Sequence, residues 1–147
     1  MTYLLDVNVV IAILDRAHVW HEEAFSWFSR ARHERWATCP IVQNGFVRIT
    51  SGAGYKPTLG SPEEVAFLLK DLLEQPNHEF WPDDLSLVQS ELVDMARVVS
   101  HKQTTDVYLL ALAVSRGAKL ATLDRSLAVS AVKGGAHALE VISDPAH

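Results

Sequence analysis

The chain opens on Tyr3-Leu4-Leu5-Asp6-Val7-Asn8-Val9-Val10-Ile11, an apolar run broken by one carboxylate. The part before Asp6 is too short for an isolated helix, so residues 2–6 are expected to form a strand buried on both faces. Val9, Val10, Ile13 and Leu14 then recur at helical spacing, with Asn8 placed to cap the helix they mark. A carboxylate between a buried strand and a buried helix is badly placed for packing. It stands at the carboxyl edge of the strand, which is where open α/β sheets bind their ligands.

The rest of the chain repeats this alternation. A helix is expected from about His18 to Arg32, with Trp20, Ala24, Phe25, Trp27, Phe28 and Ala31 on its apolar side. Trp36 to Cys39 reads as a second strand stopped by Pro40, and Ile41 to Thr50 as a helix. Ser51 to Pro57 is a Gly-rich loop. Ser61-Pro62-Glu63-Glu64 carries a capping box and an N1 proline, and starts a helix that ends near Glu74. His78 to Trp81 is a third strand, and Pro82-Asp83-Asp84 a turn into a helix expected over Leu85–Val98. A further helix runs from Asp106 to Arg116, capped by Thr104 or Thr105 and ended by Gly117. Lys119 to Thr122 is a fourth strand and Leu139 to Ile142 a last one before a polar tail. Strands separated by helices imply a parallel sheet with helices on both faces. No repeat or linker divides the 147 residues, so residues 1–147 are expected to form a single domain.

Composition narrows the function. The net charge of −5 disfavours a protein that coats duplexes nonspecifically. It does not exclude an enzyme that holds nucleic acid through a bound cation and a few local basic residues. No apolar run reaches the length of a membrane span, and the N-terminus lacks the basic lead-in and cleavage site of a signal peptide. The single Cys39 rules out an internal disulfide and suits a cytoplasmic location; beside Pro40 it reads as buried packing.

Three acids occupy related places. Asp6 ends the first strand, Asp124 lies just past the fourth, and Asp106 stands in the first turn of the helix Thr104-Thr105-Asp106-Val107-Tyr108-Leu109-Leu110-Ala111. Taken singly, Asp106 could serve the helix dipole and Asp124 a turn. In a parallel sheet, however, all strand carboxyl ends share one edge, so the three could converge there. Clustered carboxylates repel unless a cation offsets them, and Mg²⁺ or Mn²⁺ prefers such oxygen ligands. Asn8 either caps its helix or orients a ligand at this site. Arg48, Lys102 and Arg125 are candidates for phosphate contact, and each also reads as solvated surface charge. His18 and His21 lack further ligands at zinc spacing.

At this point the sequence resembles the PIN-domain ribonucleases, above all the VapC-type toxins of toxin–antitoxin pairs. The resemblance rests on Leu5-Asp6-Val7-Asn8-Val9, Thr105-Asp106-Val107-Tyr108-Leu109-Leu110-Ala111 and Ala121-Thr122-Leu123-Asp124, in that order. The segment Trp36-Ala37-Thr38-Cys39-Pro40-Ile41-Val42-Gln43-Asn44-Gly45-Phe46-Val47-Arg48 also looks like one branch of these toxins. It implies a three-layer α/β/α sandwich with a central parallel sheet of four to five strands. It further implies Mg²⁺- or Mn²⁺-dependent cleavage of RNA, a homodimer, and restraint by a cognate antitoxin. Asp6, Asp106 and Asp124 match three of the family's acids, as metal ligands and catalytic groups, with Asn8 beside them. Where the family usually carries a Glu, this chain reads Gln43-Asn44, so Gln43, Asn44, Arg48 and Arg125 are kept as supporting or substrate-contacting positions. An amide retains an oxygen without its charge, which leaves one or two metals open. Two other readings compete. One is a non-catalytic binding module on the same fold. The other is a haloacid-dehalogenase-type phosphatase, which needs an acid two residues after its Asp, where this chain has Asn8.

Overall fold

The computed structural model describes residues 1–142, and the polar tail expected after residue 142 lies outside them. The described strands are β1 (Thr2–Leu5), β2 (Arg35–Thr38), β3 (His78–Phe80), β4 (Lys119–Thr122) and β5 (Leu139–Val141). The described α-helices are α1 (Val7–Leu14), α2 (His21–Ala31), α3 (Pro40–Thr50), α4 (Pro62–Leu73) and α5 (Thr104–Ser115). The strands form one sheet in the order β3-β2-β1-β4-β5, with every neighbouring pair parallel. Each strand therefore ends at the same edge, and β1 is central.

The register assigns side chains to faces, because residues paired across a parallel ladder point the same way and neighbours along a strand alternate. Tyr3 pairs with Trp36, and Trp36 with His78, so these share one face. Helix α2 covers it: Trp27 meets Tyr3 edge-on at 5.2 Å, and Phe28 meets Trp36 at 5.0 Å. Leu4 pairs with Leu120 and belongs to the opposite face. Helix α5 packs there, and its end is fixed by the Arg116 guanidinium 4.9 Å over the Trp81 ring and 3.0 Å from Asp84. Residues Val107 to Ala113 of α5 are buried on all sides. This is the pattern of a helix inside a layered core rather than on its surface. Its outer side is closed by the segment around Gly135, where a Cβ would lie 2.6 Å from the Val129 carbonyl and 3.0 Å from Leu110. Only a residue without a side chain allows that approach.

Most expected elements appear, including the capping box: Ser61 Oγ accepts from Glu64 N at 3.2 Å, and Glu64 Oε1 accepts from Ser61 N at 3.0 Å. Four expectations are corrected. Residues 85–98 are not an α-helix; they form a loop with one short 3₁₀ turn at Met95–Arg97. Their backbone N–H groups are taken instead by side chains (Ser86 Oγ from Gln89, Ser90 Oγ from Leu92, Asp94 Oδ1 from Ala96), the local competition that keeps such residues out of helices. The stretch is then tied to the chain beyond β4, with Asp94 N donating to Ala131 O and Lys133 N to Leu92 O. Helix α2 begins at His21, after a turn through His18, and Phe25 of its apolar set is exposed. Helix α5 includes Thr104 and Thr105 in its first turn, following a 3₁₀ turn at His101–Gln103 capped by Ser100. The fourth correction concerns Asn8 and belongs to the site.

Candidate metal centre at the carboxyl edge of the sheet

Asp6, not Asn8, is the N-cap of α1. Its backbone is extended, its Oδ1 accepts from Val7 N at 2.7 Å, and its carbonyl accepts from Val9 and Val10 N–H. Its own N–H donates to Ala121 O at 2.9 Å, continuing the β1–β4 ladder one residue past the strand. The side chain is thus fixed at both ends of its backbone and is only 2% exposed. Burial is the main influence on its pKa and raises it. The hydrogen bonds from Thr122 and Val7 oppose this, and the Asp124 charge adds to it.

Thr122, fully buried at the end of β4, is the hub. Its hydroxyl donates to Asp6 Oδ2 at 2.8 Å and accepts from Asp124 N at 3.1 Å and from Asn8 Nδ2 at 3.3 Å. Asn8 is freed from capping by Asp6 and spans the β1–β4 gap. Its Oδ1 accepts from Leu123 N at 3.2 Å. Asp124 Oδ1 is held by the Ser126 hydroxyl at 2.7 Å and the Ser126 N–H at 2.8 Å. Thr122 stands in the motif that drew attention to Asp124 but was not singled out as a site residue. A strand-final hydroxyl one register from Asp6 was the available signal.

Asp106 arrives from α5 over the face that carries Leu4 and Leu120. Its carboxyl is pushed up to about 6, first by burial and then by the charges of Asp6 and Asp124. Asp106 thus lies within electrostatic reach of both Asp6 and Asp124, and Asp6 within reach of Asp124. Among the described residues, however, no group of three His, Cys, Asp or Glu side chains is set closely enough to form a ready cage for a metal ion. The donors suit a hard cation in kind, being carboxylate oxygens in mutual repulsion.

The remaining candidates fall elsewhere. Gln43 Nε2 donates to Thr38 Oγ at 3.0 Å, and Gln43 and Asn44 line a groove of about 530 Å³ with Val47, Leu69, Lys70 and Phe80. None of the three acids lines that groove. Arg48 and Arg125 are exposed, as is Lys102. Asp84 is engaged by Arg116, and His18 and His21 by backbone groups of Trp20 and Ala12. Cys39 is fully buried, and that burial pushes its thiol up to about 12. This makes it an inert packing group.

A family model for the PIN domain matches residues 3–133. The chain is 46% identical over 138 residues to Ribonuclease VapC44 of Mycobacterium tuberculosis, covering 91% of this chain and 94% of that protein. It is 40% identical over 134 residues to Ribonuclease VapC39 of the same organism, with 91% and 96% covered. It is also similar in fold to a chain in the crystal structure of VapBC2 from Rickettsia felis bound to a DNA fragment from their promoter. There the TM-score is 0.56 at 16% identity, over 84% of this chain and 89% of that one. The chain belongs to the PIN-domain family, in its VapC-type branch.

Proposed function

We propose that this protein is a divalent-cation-dependent endoribonuclease, the toxin of a toxin–antitoxin pair. Its relatives' name, ribonuclease, supports the reaction class. The observation that carries the site is geometric: the Thr122 hydroxyl ties the Asp6 carboxylate to the Asp124 backbone at the sheet edge, and Asp106 stands near enough for both charges to help raise its carboxyl to about 6. Such an arrangement costs stability unless a cation offsets it. Asp6, Asp106 and Asp124 would hold Mg²⁺ or Mn²⁺. A hard cation bound there activates water and stabilises negative charge at the phosphodiester.

The chain's own residues do the rest. Val7 N–H and Thr122 Oγ aim the Asp6 carboxylate, and Asn8 fixes Thr122 in turn. Ser126 holds Asp124 through Oδ1, so Oδ2 would be the oxygen offered to a cation. Asp106 must ionise to ligate, so cation affinity rises as pH climbs through about 6. Arg125, next to Asp124, and Arg48 supply positive charge for the RNA backbone.

The protein acts as a homodimer restrained by a cognate antitoxin. A VapBC complex among its fold relatives supports the second point. A monomer in light scattering at micromolar concentration would remove the first, and unrelieved growth arrest on co-expression with the neighbouring reading frame the second. The test of the activity is incubation with structured RNAs, with and without Mn²⁺, beside the Asp106→Asn variant. Cation-dependent cleavage lost in the variant is expected. Equal cleavage by both proteins sinks the assignment.

A further inference from the structure

Across β1 from the acids, the same sheet edge carries a second buried polar group that the proposed chemistry does not use. Thr38 ends β2, is fully buried, and has two partners: Gln43 Nε2 at 3.0 Å and His78 Nε2 at 2.8 Å. Thr38 shares the face of Trp36 and His78, whereas Thr122 shares the opposite face with Leu120. The two networks are therefore separated by the sheet itself. The His78 ring lies 4.7 Å from that of Trp36.

A hydroxyl has one hydrogen to give. With Gln43 donating to Thr38, that hydrogen goes to His78 Nε2, which must then be the bare nitrogen of a neutral ring protonated on Nδ1. The reverse chain, His78 to Thr38 to Gln43, requires the amide to turn its oxygen inward. An amide serves either direction. A carboxylate can only accept, and would impose the reverse chain with Nε2 protonated. Burial lowers the pKa of His78, against a smaller opposing effect of Glu79. Glu79 is itself paired with Arg35 at 3.4 Å, and Lys70 of α4 lines the groove beside Gln43. A neutral imidazole protonated on Nδ1 accepts the Thr38 hydrogen and so matches an amide donor at position 43, whereas an acid there would force the other neutral tautomer.

We propose that Gln43 is a positioning residue for the His78 imidazole, acting through Thr38, and that this engagement leaves the cation site to Asp6, Asp106 and Asp124 alone. The second half rests on the cation-dependent reading above; the first does not.

The test uses the full chain and ¹⁵N-detected imidazole spectra. Wild-type His78 shows the Nδ1-protonated tautomer. Gln43→Glu moves the proton to Nε2 and raises the midpoint by about one unit or more. Thr38→Val, which removes the hydroxyl at nearly constant shape, gives a mixed tautomer. It keeps the question answerable if the charged variant does not fold. Mn²⁺ titration followed by electron paramagnetic resonance reads the cation half. Gln43→Leu keeps the wild-type affinity within about twofold, and Gln43→Glu adds no second ion. An unchanged His78 in both Gln43→Glu and Thr38→Val overturns the positioning role. Tenfold tighter Mn²⁺ binding, or a second ion, in Gln43→Glu overturns the claim that position 43 stands apart from the acids. A wild-type chain that binds no Mn²⁺ overturns the cation half together with the reading it rests on, and leaves the His78 result to stand or fall on its spectra.

Discussion

Two threonines end strands on either side of β1, both fully buried and both bonded to three-dimensional neighbours through a single hydroxyl. Thr122 gives its hydrogen to the Asp6 carboxylate, and Thr38 joins an amide to an imidazole. On the Thr122 side the groups are charged and repel one another. On the Thr38 side they are neutral and satisfied. One sheet edge thus has a half that stores electrostatic tension and a half that stores none. The same residue type at the same height holds a carboxylate on one face and joins two neutral groups on the other, depending on which face its strand presents.

The comparison can be broken most forcefully through the acids. Asp6→Ala or Asp106→Asn should cut RNA cleavage by about a thousandfold or more, since each removes charge from the site. Cleavage within tenfold of wild type in single-turnover assays would dissolve the distinction between the halves. Next come the threonines. Thr122→Val and Thr38→Val should each cost about 1–3 kcal/mol in urea unfolding, because both strand buried polar partners. Only Thr122→Val should also lower cleavage, by about ten- to a hundredfold; similar cleavage losses in both variants would mean that the two hubs are equivalent.

A smaller effect follows from Asp106 itself. Its folded pKa of about 6 lies above the ordinary carboxylate value, so in that interval the folded chain binds the proton more tightly than the unfolded one. The associated stability is present at low pH and is lost as pH rises through about 6. Without divalent cations, Asp106→Asn should therefore be more stable than wild type at pH 7 by about 1 kcal/mol and should lose that part of the pH slope. A wild-type thermal midpoint flat between pH 4 and 7 would contradict it. The smallest effect is expected at Cys39, where alkylation of the native protein should be negligible and Cys39→Ala should leave cleavage within about twofold. Rapid labelling of the folded protein would show that this strand end opens.

The periodic parts of the fold were legible because each signal was local. The Ser61 capping box, the apolar runs of β1 and β4 and the buried stretch of α5 depend on residues a few positions apart. That Asp6 and Asp124 would share one sheet edge, with Asp106 near enough to feel both, was legible too, through the rule that parallel strands end together. Residues 85–98 misled because Leu85, Leu87, Val88, Leu92 and Val93 mimic helical spacing while Ser86, Ser90 and Asp94 divert the backbone. The cap of α1 misled because Asp6 and Asn8 are both good caps, and only the β1–β4 gap gives Asn8 other work. Thr122 and the Gln43–Thr38–His78 chain were out of reach: residues 6 and 122, or 38 and 78, meet only once strand order and register are known.

The double duty of Asp6 has a consequence for descent. This carboxylate caps α1 as well as facing the other acids, so its loss frees Val7 N–H and loosens the first helix even in a protein with no use for a cation. Asp106 carries no such obligation, and its removal relieves repulsion. A lineage drifting from enzyme to passive binder should therefore shed Asp106 first and keep Asp6 long after activity has gone. An aspartate retained at the end of β1 is weak testimony that a descendant still cuts, whereas one at the head of α5 is strong.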